Sequence, residues 1–309
     1  MLIQKLININ FIIILIVYAL ISCGINNSES PTVPHRLDMS PQIESDYSSN
    51  GLKAILSTRD LAVGNQRFAI LLISKTGFVT NETVYISTSF TEKQTQNKIH
   101  QKQKPNFYQW ENLPKGSYVT NFNFDQPGIW NAQIEIIDGK NNISQSTSIE
   151  FEVKKAEYTT KIGKNANLSK TKTINDVNSL KELSTGSKIF PNLYQNSLDN
   201  AVNSNKPVIV TFSSPGYCIE RSCGPQTEVI DQIQKSDNLN LFFIHVELYE
   251  NPEKILGNPI NKKLSQVVLD WNLPSSEWTF IINQKKIAAK YEGFVTKEEI
   301  LSDLQKILN

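Results

Sequence analysis

The sequence predicts two folded regions of different class in one multidomain chain, an all-β sandwich over residues 51–154 and an α/β domain over residues 190–309. Three observations carry this expectation. From about Leu52 to Val153 the apolar residues recur with period two and are punctuated by turn residues. From Lys154 to about Gly186 the chain turns polar, with Lys, Thr, Asn and Ser predominating. Beyond it, continuous β-rich runs such as Val208-Ile209-Val210-Thr211-Phe212 alternate with stretches of helical spacing, the pattern of strands buried on both faces.

At the N-terminus a single cation, Lys5, precedes the apolar run Phe11 to Ile21. Eleven residues rise about 17 Å as a helix, too short for a hydrocarbon core of about 30 Å, so residues 1–22 read as a signal peptide. The run closes in Leu20-Ile21-Ser22-Cys23-Gly24, which resembles the lipobox of bacterial lipoproteins. That resemblance implies lipid on Cys23 and a mature chain beginning there; an ordinary cleaved signal or an uncleaved anchor is the alternative. Residues 23–50, rich in Ser, Asn and Pro, read as a flexible tether. The expected location is therefore extracytoplasmic, lipid-anchored to a bacterial membrane, where disulfides persist. The balance of 31 basic against 30 acidic residues leaves no electrostatic footprint for nucleic acid.

Within residues 51–154, Arg67 to Ile73 reads as a central strand. Trp130, Ala132, Ile134 and Ile136 alternate with Asn131, Gln133 and Glu135, and Ile149, Phe151 and Val153 alternate with Glu150 and Glu152. Turns fall at Asn81-Glu82, Asp125-Gln126-Pro127-Gly128 and Asp138-Gly139. Short strands so punctuated, without a convincing helix, predict an immunoglobulin-like β-sandwich. The segment Phe122 to Trp130 resembles the late hairpin of extracytoplasmic sandwich modules. His100, in a Lys/Gln-rich loop without a second ligand candidate nearby, reads as solvated. Residues 155–189 offer too little apolar surface to fold alone and read as an extended linker, so the two domains are expected to fold separately.

In the C-terminal region Ser197 can cap a short helix that buries Leu198, Ala201 and Val202, and Lys206-Pro207 stops it. Val208 to Phe212 and Leu241 to Val246 are strands, and Leu264, Val267, Val268 and Trp271 follow helical spacing. Trp278 to Ile282 and Ile287 to Tyr291 flank Asn283-Gln284-Lys285-Lys286 as a hairpin, and Thr296-Lys297-Glu298-Glu299 is a capping box that opens a last helix. The order helix, strand, helix, strand, helix, hairpin, helix is that of a thioredoxin fold. Lys206 to Phe212, a short loop, then Cys218 and Cys223-Gly224-Pro225 resemble the strand, active-site loop and helix of thioredoxin-like proteins, except that four residues rather than two separate the cysteines.

That departure has a geometric consequence. Residues five apart on a regular helix lie about 8.6 Å apart, beyond the limit of about 7 Å for Cα atoms joined by a disulfide. Pro225 belongs in a first turn, so Gly224 is the expected N-cap and both cysteines fall in the loop before the helix, with Cys223 at its positive end. Counting from the strand favours Cys218 as the attacking thiol and Cys223 as its resolving partner; matching Cys223-Gly224-Pro225 to the family motif reverses the assignment. Arg221, the only arginine after Arg67, either lowers a thiolate pKa or is solvated. Glu277, followed by Trp278, occupies the position where the family places a cis-proline. His245 on a buried strand reads as a satisfied core residue.

The resemblance implies a thiol-disulfide oxidoreductase whose partners are protein thiols or disulfides and which needs no cofactor or metal. Three alternatives stand beside it. Pro215-Gly216-Tyr217-Cys218 with Cys223 also resembles the active loop of Q-type peroxiredoxins, a peroxidase reading, although Ser213 and Ser214 lie one place too far before Cys218 and no arginine follows Arg221. Copper chaperones of the same fold use two cysteines and a distal histidine. The last alternative is a non-enzymatic lipoprotein in which the pair is a structural staple.

Overall fold

Alternating apolar residues in the first half become strands with one buried and one wet face. The computed structural model describes Leu37 and residues 42–91, 99–111, 113–218, 222–236 and 240–309; the expected signal peptide, Cys23 and the first part of the expected tether lie outside them. Among the described residues of the first half ten strands form: β1 (Ile43–Glu44), β2 (Leu52–Leu56), β3 (Gly64–Ser74), β4 (Gly77–Phe78), β5 (Thr83–Phe90), β6 (Ile99–Gln103), β7 (Asn106–Gln109), β8 (Gly116–Phe124), β9 (Gly128–Ile137) and β10 (Ile143–Val153). They build two antiparallel sheets, β1-β2-β3-β8-β7 with β4 on β3, and β10-β9-β5-β6. The central strand expected at Arg67 to Ile73 is β3. One core joins the sheets: Phe68 and Ile70 of β3 and Phe124 of β8 cluster with Trp130 and Ile134 of β9 and Phe151 of β10. Phe124 meets Trp130 edge to face at 5.0 Å between centroids. The turn into β9 requires its glycine, because Gly128 has φ 136° and a Cβ there would lie 2.8 Å from the Phe90 ring.

The second half holds α1 (Leu198–Asn203), β11 (Val208–Ser213), α2 (Cys223–Ser236), β12 (Phe242–Glu247), α3 (Pro252–Ile255), α4 (Gln266–Asp270), β13 (Trp278–Asn283), β14 (Lys286–Glu292) and α5 (Lys297–Leu308). Its sheet runs β12-β11-β13-β14, with β11 parallel to β12 and the other pairs antiparallel. Every residue of β11 is buried, because its odd and even positions face different cores. Val208, Val210 and Phe212 pack with Leu198 and Val202 of α1 and with Trp271 after α4. Ile209 packs with Val229, Ile230 and Ile233 of α2 and with Ile300 and Leu304 of α5. The sheet is thus covered on both sides. The protein is β-rich, and no helix among the described residues is long and apolar enough to cross a membrane.

Two expected caps form differently. Ser197 precedes α1 but makes no side-chain cap bond; its hydroxyl donates to Asp199 Oδ1 (2.5 Å). A different first-turn donor, the Leu198 N–H, is met by Thr171 Oγ1 (2.9 Å), from the polar segment. Thr296 Oγ1 does accept from the Glu299 N–H (3.2 Å). The reciprocal arm of the box is diverted, because the Glu299 carboxylate takes both Nε (2.6 Å) and Nη2 (2.9 Å) of Arg67 on β3. A bidentate guanidinium is a stronger partner than a backbone N–H.

The segment from Lys154 to Gly186 is held by polar anchors. Asp60 accepts from the Tyr158 and Thr159 N–H groups, and Ala166 N–H donates to Lys285 O (2.8 Å) while Ile287 N–H donates to Lys164 O (2.9 Å). The two halves also share apolar contacts. Trp110 stacks near Phe294 at 4.2 Å, and Leu71 and Trp110 join the cluster built on α2 and α5.

Candidate functional site

The central strand β11 delivers the chain to the two cysteines. After Ser213 it passes through one tight turn, Pro215–Tyr217, reaches Cys218, and resumes as α2 at Cys223. Both ends of this turn are pinned. Thr185 Oγ1 accepts from the Gly216 N–H (2.9 Å), lies 3.0 Å from Ser214 Oγ and donates to Glu247 Oε2 (2.8 Å), which also accepts from the Thr185 N–H (2.8 Å). A Cβ on Gly216 would lie 2.6 Å from Thr185 O, so only glycine lets the loop come this close. On the other side Tyr217 donates its hydroxyl to Ile255 O and its ring lies 4.0 Å from Lys262 Nζ.

Cys218 and Cys223 form a disulfide with Cα atoms 5.9 Å apart, within bonding reach. The two differ in exposure: Cys218 is half-buried, whereas Cys223 is 0% exposed. The helix begins two residues earlier than expected. Ser222, not Gly224, holds the cap position, its carbonyl accepting from the Gln226 N–H (2.8 Å), so Cys223, Gly224 and Pro225 make the first turn. Pro225 is tolerated there because a first-turn N–H has no helical partner. The Cys223 N–H, another of these orphan donors, points at Cys218 Sγ (3.2 Å). Such a donor at the positive end of a 14-residue helix favours a thiolate on Cys218.

Opposite α2 lies the segment before β13. Glu277, 2% exposed, accepts from Ser222 Oγ (2.5 Å), and its carboxylate and both sulfurs lie within 4.8 Å of one another. The Ser276 carbonyl is 3.9 Å from Cys223 Sγ. Among the described residues no peptide bond is cis. Trp278 faces the core rather than the sulfurs: it is 2% exposed, stacks on Phe280 and donates Nε1 to Ser275 Oγ (2.9 Å). Arg221 lies outside the described residues.

His245 sits in a buried polar chain, as its position predicts. Nδ1 is 2.5 Å from the Tyr194 hydroxyl, and Nε2 is 2.9 Å from Ser213 Oγ and 3.2 Å from Ser213 O. Burial lowers its pKa to about 4, opposed by the hydrogen bond to the Ser213 carbonyl. Burial likewise raises the Glu247 pKa, opposed by hydrogen bonds from Ser214, Thr185 and Leu248. The hydroxyls of Ser213 and Ser214 are thus committed to His245 and Thr185.

Sequence reasoning brought Cys218, Cys223 and Glu277 together but missed Ser222 and Thr185. A serine directly before Cys-Gly-Pro is a cap signal that points to Ser222. Thr185 carries no such signal, because its role depends on where a polar segment is laid down.

No family model matches the chain. Over 121 residues, 38% of this chain and 68% of the relative, it is 29% identical to thioredoxin 2 of Plasmodium berghei (strain Anka). That likeness and the bonded C-x4-C pair link the chain to thioredoxin-like proteins.

Proposed function

We propose that the chain is a thiol-disulfide oxidoreductase with a thioredoxin-like C-terminal domain and an immunoglobulin-like N-terminal sandwich, held outside the cytoplasm by lipid on Cys23. The observation that carries the reading is the unequal pair: a half-buried Cys218 bonded to a wholly buried Cys223 at the start of the helix that follows the central strand. The sheet order β12-β11-β13-β14 with helices on both faces supports the fold assignment. The lipobox at Leu20-Ile21-Ser22-Cys23 supports the anchor.

Exposure sets the order of events. In the reduced protein the Cys218 thiolate, stabilised by the Cys223 N–H, attacks a disulfide of a partner protein. One partner sulfur bonds to Cys218 and the other leaves as a thiolate. Cys223 then loses its proton, for which the Glu277 carboxylate is the nearby acceptor, and attacks Cys218 Sγ. The Cys218–Cys223 bond forms, the partner leaves with both sulfurs reduced, and the two electrons have passed from this protein to the partner. The reverse sequence oxidises a partner dithiol. The commitment of Ser213 and Ser214 to other groups favours this reading over a peroxidase, which needs a hydroxyl aimed at the attacking sulfur.

Glutathione disulfide tests the scheme. Cys223→Ser should accumulate one glutathione on Cys218 by mass, Cys218→Ser should accumulate none, and the reduced wild type should pass through the mixed disulfide to the closed pair. Glutathione on neither variant, with both folded, would sink the reading.

A further inference from the structure

Three soft or anionic ligand atoms converge where Cys218, Cys223 and Glu277 meet: both Sγ atoms and a carboxylate oxygen lie within 4.8 Å of one another. In the oxidised protein the sulfurs are spent on each other. Reduction converts them into two thiols beside a carboxylate that is 2% exposed. In a tetrahedral zinc site with Zn–S near 2.3 Å and Zn–O near 2.1 Å, ligand atoms sit about 3.5–3.8 Å apart. From an ordinary bond length of about 2.05 Å the sulfurs must therefore open by about 1.7 Å and the carboxylate close by up to about 1.2 Å, changes within reach of side-chain rotation at half-buried Cys218.

We propose that the reduced protein binds Zn2+ through Cys218 Sγ, Cys223 Sγ and the Glu277 carboxylate, leaving the fourth tetrahedral position to water. Two existing contacts become the outer shell that orients the ligands: Ser222 Oγ donates to Glu277 (2.5 Å) and the Cys223 N–H to Cys218 Sγ (3.2 Å). Charge also balances. Two thiolates and a carboxylate carry three negative charges, the cation returns two, and the remaining negative charge lies at the positive end of α2. The chemistry balances as well: a phosphine and water reduce the disulfide to two thiols and phosphine oxide, and Zn2+ then displaces two thiol protons, so affinity rises with pH. Metal and disulfide exclude each other, and the metal protects the pair from oxidation. The metal alternative that the sequence offers is copper on the two cysteines and a distal histidine, which leaves Glu277 out.

The proposal needs the pair to be reducible in the folded protein, as the redox reading does, and the test separates the two. The full chain carrying Cys23→Ser is reduced with a phosphine, its thiols are counted, and it is titrated with Zn2+ against a chromogenic chelator and with Cd2+ for sulfur-to-metal absorption. One equivalent should bind the reduced protein and none the oxidised. Ser222→Ala should weaken binding by about 10-fold, and Glu277→Gln by more. Should Glu277→Gln fail to fold, Ser222→Ala and Glu277→Asp decide. Two free thiols without stoichiometric metal, or variants at both Ser222 and Glu277 that bind as tightly as wild type, would overturn the metal site and leave the redox reading standing. A pair that cannot be reduced without unfolding would overturn both.

Discussion

Exposure separates the two cysteines, and burial decides what their polar neighbours do. His245, 3% exposed, has its pKa lowered to about 4 by desolvation, against about 6.5 in an unfolded chain. The unfolded state therefore takes up a proton first as pH falls. The stability this histidine leaves intact is fully present above about pH 6.5 and lost progressively as pH drops through about 4, roughly 3 kcal/mol in all. Glu247 acts with the opposite sign: its pKa is raised by burial, so its contribution is full below the unfolded value and lost as pH rises through the folded one. Replacing His245 with Asn should flatten the acid limb, which denaturant titrations at pH 7, 5.5 and 4.5 read directly. An unchanged slope would mean that other groups, not His245, govern acid sensitivity. At the same scale, Thr185→Val removes the hydroxyl donor to Glu247 Oε2 and the acceptor for the Gly216 N–H, while the backbone N–H donor to Glu247 remains. It should cost about 1–3 kcal/mol of stability and speed Cys218 alkylation in the reduced protein, because the turn before it is released.

Elements show what the sequence made legible and what it did not. The buried stripe Trp130, Ala132, Ile134 and Ile136 and the wet residues between them lie on β9 as their period requires, since side-chain alternation is a local property. Val208 to Phe212 is a strand buried on both faces for the same reason. The caps were less legible because their partners come from elsewhere: Ser197 turns its hydroxyl to the Asp199 carboxylate while Thr171 meets the first-turn Leu198 N–H, and Arg67, 232 positions away, takes the carboxylate expected for a capping box. The sequence places the start of α2 two residues late because Gly224-Pro225 is the loudest local signal, while Ser222 gains from Glu277 across the fold. The β13–β14 turn carries a testable flaw. Gln284 and Lys285 both have positive φ, 50° and 62°, the region that two-residue hairpins fill with Asn-Gly. Writing Asn-Gly at these positions should raise stability by about 1 kcal/mol and shift the thermal midpoint upward without altering thiol exchange; a lower midpoint would contradict the turn assignment.

At the scale of the molecule, the N-terminal half supports the half that carries Cys218 and Cys223 directly. The Arg59 and Asp60 N–H groups donate to Glu292 Oε2 (2.6 and 2.7 Å), Glu292 Oε1 accepts from Ser275 Oγ (2.7 Å), and Ser275 in turn accepts from Trp278 Nε1. This chain fixes the segment that carries Ser276 and Glu277 to the sulfurs. Arg67 and Glu299, with side chains 12% and 7% exposed, lock the same interface. Arg67→Met should destabilise by about 3–5 kcal/mol by stranding Glu299, and Arg67→Met with Glu299→Leu should recover most of it; equal losses in both would place the cost elsewhere. A fragment from Phe190 onward loses these partners and the Trp110 cover over Phe294, so it should melt below the intact chain. The central claim is that the Cys218–Cys223 bond cycles, and its reduction potential in the intact chain tests this most directly. Equilibration with glutathione buffers should give a potential well above about −300 mV, the region below which structural bonds fall, with fold retained in the reduced state. A pair that stays oxidised against excess reduced glutathione, or whose reduction unfolds the protein, would make the bond a staple and contradict the account.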